Sequence, residues 1–263
     1  MSIYKVIGHY IRIEEINIDT AWKEFLYNKN DHPICDFYFG SMRYTNINRD
    51  LKVVEASSKR NILECDGTLM ISNEEYSVAY VQKGEKETYN IFLNFLFYSH
   101  AVNKNMLQLH CSIIEDRGRG LIFLGPSGIG KTTQAECWEK YCGSTIINGD
   151  IGFVQRKDQS FIAWGTPWHG SSSYCLNTSV PLKALIILKQ APQNSIRLLQ
   201  GFEKVAAVSK NVFYPTWLTS GIELCMETLN YLLTMIPVYE LSCRPDEGAV
   251  RLTEETVFGK DIV

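Results

Sequence analysis

Residues 121–138 read LIFLGPSGIGKTTQAECW, and this stretch decides the fold. An apolar run from Leu121 to Leu124 meets a glycine-rich turn, then a lysine, two threonines and a segment of helical texture. Gly125-Pro126-Ser127-Gly128-Ile129-Gly130-Lys131-Thr132 satisfies the pattern G-x-x-x-x-G-K-S/T. Glycines let a backbone close around phosphate so that successive N–H groups point inward. The N-terminus of the following helix adds a partial positive charge. In such a loop Lys131 reaches the β- and γ-phosphates and Thr132 offers its hydroxyl to Mg²⁺. Positions Gly125 to Thr133 together form the nucleotide cradle. The bland alternative is a chance glycine turn. The strand before it and the helix after it argue against that.

Working outward, the texture on both sides alternates between strand and helix. LQLHCSII (107–114) is a strand candidate, EDRGRG a turn and LIFLG a second apolar strand. Thr132 to Tyr141 reads as a helix ending near Gly143. STIINGD and PLKALIILKQ are further apolar runs. Between them GFVQRKDQSFIAWG looks like a hairpin turning at Lys157-Asp158-Gln159. Ser220 to Ile236 is a long amphipathic helix opened by a capping-box pattern, Ser220 with Glu223. VYELSC follows as a strand, and PDEGAV starts a last helix. Strands interleaved with helices argue an α/β fold, and the hairpin makes its sheet mixed.

Residues 1 to about 85 read mostly as strands, from the weakly alternating YKVIGHYIRI to the aromatic DFYFGSMRYT and EEYSVAYVQ. Tyr89 to Asn103 reads as a helix with Phe92, Phe95, Leu96, Ser99 and Val102 on one face. The expected organisation is a β-rich N-terminal part over 1–105, ending in that helix, and a phosphate-loop core over 106–263.

Composition narrows the function classes. The chain has 263 residues, 45% of them hydrophobic, and a formal net charge of −3, so no global basic field attracts nucleic acid. Short basic clusters such as Lys59-Arg60 read as solvated surface. YNIFLNFLFYSHAV (89–102) is too short and too polar to span a bilayer, so no membrane partner is expected. The N-terminus lacks the basic start and apolar block of a signal peptide. Eight cysteines without a C-x-x-C pair read as reduced thiols, and metal-ligand spacing is absent. A cytoplasmic location is expected.

A phosphate loop needs a second metal group. Asp150, at the end of the apolar run IINGD, stands where a Walker-B-like carboxylate would sit. The alternative is a turn aspartate, since Asn-Gly-Asp is itself a turn signal. Asn148 could orient water or substrate.

The segment LHCSII…GLIFLGPSGIGKTT, residues 109–133, resembles the one shared by HPr kinase/phosphorylases and phosphoenolpyruvate carboxykinases. Small bacterial HPr-kinase-like proteins, of the kind found with ribosomal-peptide modification systems, are similar over more of the chain. The matching pieces are YKVIGHYIRIE at the N-terminus, INGD (147–150), WGTPWHG (164–170), VPLKALIILKQAPQNSIRLL (180–199) and LSCRPDEGAV (241–250). The resemblance is strong from 107 to 200 and weak between 12 and 88. It implies the phosphate-loop fold of those families, ATP and a divalent metal, and assembly into a homo-oligomer. It implies that His110 lies near the metal and phosphates; otherwise His110 is a satisfied core histidine. HPr kinases carry two adjacent aspartates after this strand, one as base and one for metal, whereas this chain has Gly149-Asp150. The proton of an acceptor hydroxyl then falls to Asp150 itself or to His169, an imidazole suited to the task, unless His169 is only a loop residue. Arg197 and Arg244 are candidates for clamping phosphate through the planar guanidinium fork, or else surface ion-pair partners. Trp164 and Trp168 wall a substrate pocket or serve as packing.

The function expected is an ATP- and Mg²⁺-dependent kinase passing the γ-phosphate to a hydroxyl, with a serine of a peptide or protein as acceptor. Small hydroxyl compounds are the other acceptor class. The competing classes are a nucleotide-binding module without transfer, favoured by the missing second aspartate, and carboxykinase chemistry, for which the chain looks too short.

Overall fold

The computed structural model describes residues 1–14, 18–40, 52–56 and 60–259. The protein is α/β with mixed sheets. Its chain divides into two compact units, one formed by Met1–Lys104 with Pro215–Gly221, the other by Asn105–Tyr214 and the chain from Ile222 onward. The segment Pro215–Gly221 therefore groups with the N-terminal part, although it lies far along the chain.

In the first unit the described strands are β1 (Ser2–Val6), β2 (His9–Ile13), β3 (Leu26–Tyr27), β4 (Cys35–Gly40), β5 (Lys52–Ala56), β6 (Asn61–Cys65), β7 (Thr68–Ser72) and β8 (Val78–Gln82). They form one sheet in the order β3-β1-β2-β4-β8-β7-β6-β5, parallel at β2–β4 and β4–β8 and antiparallel elsewhere. YKVIGHYIRI, expected as a single opening strand, is a tight hairpin. Ile7 and Gly8 both take left-handed φ, 48° and 74°, the geometry that matches strand twist in two-residue turns. Of the strand expected over DFYFGSMRYT, the part beyond Gly40 lies outside the described residues, as does Lys59.

Helix α1 (Lys86–Ala101) packs within this unit, with Tyr89 edge-on to Phe39 and Phe97 edge-on to His9. Phe92, Phe95, Leu96, Ser99 and Val102 are all buried, as the periodicity predicts. Leu93, Phe97 and Tyr98 are buried too, so the helix is enclosed well beyond one stripe. Each fully buried phenylalanine contributes about 1.5–3 kcal/mol. Ser99 is satisfied inside that apolar surface. Its hydroxyl donates to the Phe95 carbonyl at 2.8 Å and accepts from Trp217 Nε1 at 2.9 Å.

The second unit carries β9 (Met106–Asp116), β10 (Arg119–Leu124), α2 (Lys131–Cys142), β11 (Thr145–Asn148), β12 (Ile151–Lys157), β13 (Ser160–Trp164), β14 (Ser179–Gln190), β15 (Ser195–Leu198), α3 (Gly201–Ser209), β16 (Val212–Phe213), α4 (Gly221–Met235), β17 (Val238–Cys243) and α5 (Glu247–Phe258). β9 and β14 each change partners midway. The first half of β9 pairs with β12 and β16, the second half with β10 and β11. The start of β14 pairs with β13, and the rest lies parallel to β10 and β17. The pairings β10–β9–β12–β13–β14–β10 therefore close a circuit. The hairpin joining β12 to β13 turns at Asp158-Gln159, one residue shorter than the sequence suggests, with Asp158 in the left-handed region.

Alternation explains which strands are central. β10 after Arg119 and residues 184–188 of β14 are apolar and buried on both faces, while β9 is largely buried but carries Gln108, His110 and Ser112 on one face. Ile114, Leu121, Phe123, Trp138, Ile186 and Leu241 share one core that α2 and α5 help to enclose. α2 stops at Gly143, whose left-handed φ of 70° lets its N–H reach the Glu139 carbonyl. α5 starts on Asp246, whose side chain accepts from the Ala249 N–H at 3.0 Å. All eight cysteines lie among the described residues, and none forms a disulfide. Among the described residues no helix is long and apolar enough to cross a membrane.

Candidate functional site

β10 delivers the chain into the loop Gly125–Gly130, and α2 begins at Lys131. Gly125, Gly128 and Gly130 adopt φ of 149°, 78° and 106°, which residues with a Cβ rarely take. The strand, turn and helix expected from the motif are thus all present. The Gly125 N–H donates to Asn211 Oδ1 at 2.9 Å, and the Asn211 carbonyl accepts from the His110 N–H at 2.9 Å. One asparagine from the α3–β16 connection thereby ties the loop to β9.

Lys131 is 6% exposed, and its ammonium donates to the carbonyls of Gly125 at 3.1 Å and Pro126 at 3.3 Å. Burial pushes its pKa below the ordinary lysine value, and the nearby Asp150 charge opposes that shift. The lysine is therefore a desolvated cation held by the loop's own carbonyls.

The facing wall is the bend between β11 and β12. The His110 imidazole Nε2 stands 3.2 Å from Asp150 Oδ1. The Cys111 N–H donates to the Asp150 carbonyl at 2.7 Å, and the Asp150 N–H donates to Asn148 Oδ1 at 2.9 Å. The Thr132 hydroxyl donates to the Gly149 carbonyl at 3.2 Å, one residue from Asp150. Ser112 joins them, its hydroxyl 3.3 Å from the same carbonyl and 3.5 Å from Thr132 Oγ1. The structure thus brings Lys131, Thr132, His110 and Asp150 into one neighbourhood. Ser112 was not singled out from sequence, yet it lies two residues beyond His110, on the same face of β9.

Asn148 is a brace with no exposed surface. Its amide donates to the Thr166 carbonyl, the Thr166 hydroxyl and the Trp168 carbonyl, so it has nothing left to orient water or substrate. This corrects the expectation for Asn148. The brace carries the segment 166–172 across Asp150. Gly170 is left-handed at φ 59°, and a Cβ there would collide with the Asp150 carboxylate. At Gly149 a Cβ would collide with the Ser172 side chain. The space that a residue-149 side chain would fill is occupied by a serine hydroxyl, which donates to the His169 carbonyl at 2.8 Å. The His169 Nδ1 is hydrogen-bonded to the Ser172 carbonyl, so the neutral ring carries its lone pair on Nε2.

The other candidates separate. Arg244 lies at the rim of a cleft beside the loop, its Nε 3.1 Å from Asp246 Oδ2. Arg197, on β15, has its guanidinium engaged by Glu203 and Glu240, each at 2.9 Å. Its place on β15 turns it towards α3 and β17, the ion-pair arrangement that the sequence left as the alternative to a clamp. Trp168 is buried and packs near Phe153, while Trp164 faces Lys157, so neither shows the role of a pocket wall. Among the described residues no group of three His, Cys, Asp or Glu side chains is placed to hold a metal ion. Thr132 and Asp150 offer hard oxygen donors of the kind Mg²⁺ takes when phosphates supply the rest of its shell.

Among solved structures the chain is similar to the Hpr(Ser) kinase/phosphatase from Coxiella burnetii, at 11% identity and a TM-score of 0.32 over 57% of this chain and 93% of that one. Likeness at that level carries no argument. No curated protein matches. A family model described as SynChlorMet cassette protein ScmC matches residues 88–244, more than half of the sequence and all of the site just described. The chain belongs to the ScmC family of SynChlorMet cassette proteins.

Proposed function

We propose that the protein is an ATP- and Mg²⁺-dependent kinase that transfers the γ-phosphate to a hydroxyl, with a serine of a peptide or protein as the acceptor. The observation that carries this reading is the buried Lys131, held by the loop carbonyls across from the His110–Asp150 pair. Lys131 and the loop N–H groups of 125–133 bind and neutralise the triphosphate. Thr132 and Asp150 would hold Mg²⁺, which would supply neutralisation of the phosphate charge. His110 orients the Asp150 carboxylate. The acceptor oxygen attacks the γ-phosphorus in line, the bond to the bridging oxygen breaks, and ADP leaves. The acceptor's proton passes to Asp150 or to His169 Nε2. Phosphoryl transfer requires little covalent help from a protein, so positioning and positive charge suffice.

The test is incubation with γ-labelled ATP, candidate cassette peptides and free serine, read by mass spectrometry. A phosphorylated serine is expected, and Lys131→Ala should lower its formation by about 100-fold or more, the scale of losing one preorganised charge in a dry site. Unchanged turnover in that variant would refute the site.

One observation favours a second reading. The Ser172 hydroxyl fills the place of a second carboxylate, which suits a nucleotide-binding module without transfer. Tight ATP binding with all label remaining in ATP, across every acceptor, would select it.

A further inference from the structure

β10, β14 and β17 run parallel, and their carboxyl ends open onto a cleft of about 580 Å³. That lies within the range of about 300–1,000 Å³ for small-molecule sites. Ligands of parallel α/β sheets gather at such strand ends. One wall is the outer side of the glycine loop with Thr133 and Gln134; the other is the chain leaving β14 and β17, through Pro192 and Arg244. The cleft therefore begins where a triphosphate seated in the loop would end.

Gln134 makes this more than a hollow beside a helix start. The residue is 2% exposed, and its amide Nε2 has no hydrogen-bond partner among the described residues. Among those residues its Oε1 accepts a hydrogen bond from the Cys243 thiol alone, at 3.9 Å. A buried donor left without a partner costs about 1–3 kcal/mol. Native structures tolerate such groups where a ligand completes them. The carboxamide offers one donor and one acceptor side by side. That pair matches the N6 amino group and N7 of adenine, whereas guanine presents two acceptors, O6 and N7, on the same edge.

We propose that this cleft binds the adenine nucleoside of the triphosphate, with Gln134 reading the base and Arg244 laying its guanidinium against it from the rim. The proposal rests on the phosphate-loop reading above. It also moves Arg244 from the transferring phosphate to the nucleoside end.

Calorimetric titration of the full chain with Mg·ATP, Mg·GTP and Mg·tripolyphosphate tests it. ATP should bind about 10-fold or more tighter than GTP, the scale of one bidentate contact. Gln134→Leu should bring the two nucleotides within about threefold of each other while tripolyphosphate binding holds, which also reports an intact fold. Ala191→Phe, which fills the cleft, should weaken both nucleotides and spare tripolyphosphate. GTP bound as tightly as ATP, or an ATP preference surviving in Gln134→Leu, overturns the inference. Tripolyphosphate bound as tightly as ATP overturns it while leaving the loop reading standing. Failure of the wild type to bind any of the three overturns both.

Discussion

The two walls of the site are built by different means. The glycine-loop wall is local: nine consecutive residues, Gly125 to Thr133, supply turn, cation and hydroxyl. The Asp150 wall is assembled from distant pieces. His110 comes from β9, Asp150 from the β11–β12 bend, and the segment 166–172 is held across them by Asn148. A local wall can be read from spacing, because glycine conformations and the helix start are fixed by neighbouring residues. An assembled wall cannot, because its contacts depend on how strands pair.

The contrast can be broken most forcefully at Asp150. Asp150→Asn should lower phosphotransfer by about 100-fold to 10,000-fold, the range for losing a general base or its equivalent, with the fold kept. His169→Gln, measured beside it in single-turnover assays, decides which group takes the proton. A loss in His169→Gln as large as in Asp150→Asn would place the base on the imidazole, and wild-type rates would leave it on the carboxylate.

Gly149→Asp sharpens the comparison from the other side. Restoring the second aspartate should not raise activity, because its Cβ collides with Ser172. The expected outcome is destabilisation of about 1–3 kcal/mol in urea unfolding, from overpacking. Adding Ser172→Gly should recover most of it. A gain of activity in Gly149→Asp alone would show that the 166–172 segment yields easily.

Asn211→Ala should cost about 1–3 kcal/mol of stability by leaving the buried Gly125 N–H without its acceptor. It should also raise KM for ATP more than it lowers kcat, since the tie positions the loop. An unaltered KM would mean the loop holds its shape without the tie.

The smallest effect concerns pH. The folded-state pKa of Lys131 is lowered by burial, so between that value and about 10.5 the unfolded chain binds more protons than the folded one. The empty protein should therefore gain stability from this group as pH rises through that window. The difference between wild type and Lys131→Met isolates it, and a difference flat with pH would contradict the shift.

Much of the architecture was legible in the residues. The capping of α2 by Gly143, the strand β10 and the buried helix α1 follow from periodicity and punctuation. The Ile7-Gly8 hairpin was hidden because Ile7 is β-branched and argues for continuing the strand; only the turn's backbone overrides it. In the site, Lys131 and Thr132 announced themselves by motif. Ser112 could have been found by stepping two residues from His110. Asn211 and Ser172 carried no local signal, since each acts on a residue reached only through folding. Arg197 was ambiguous for the complementary reason: a basic residue beside an apolar strand looks the same whether a phosphate or a glutamate faces it.

The closed circuit of β10, β9, β12, β13 and β14 has a consequence for recognition. Among the described residues each of these five strands is paired on both sides, so none of them presents an open backbone edge beside His110 and Asp150, while the short β11 and β16 pair with no strand but β9. A peptide therefore cannot join any of those five strands as a further strand. Under the proposed function, an acceptor reaching those strands would be recognised through side chains and its reactive hydroxyl, which favours selection by local shape over selection by a long extended register.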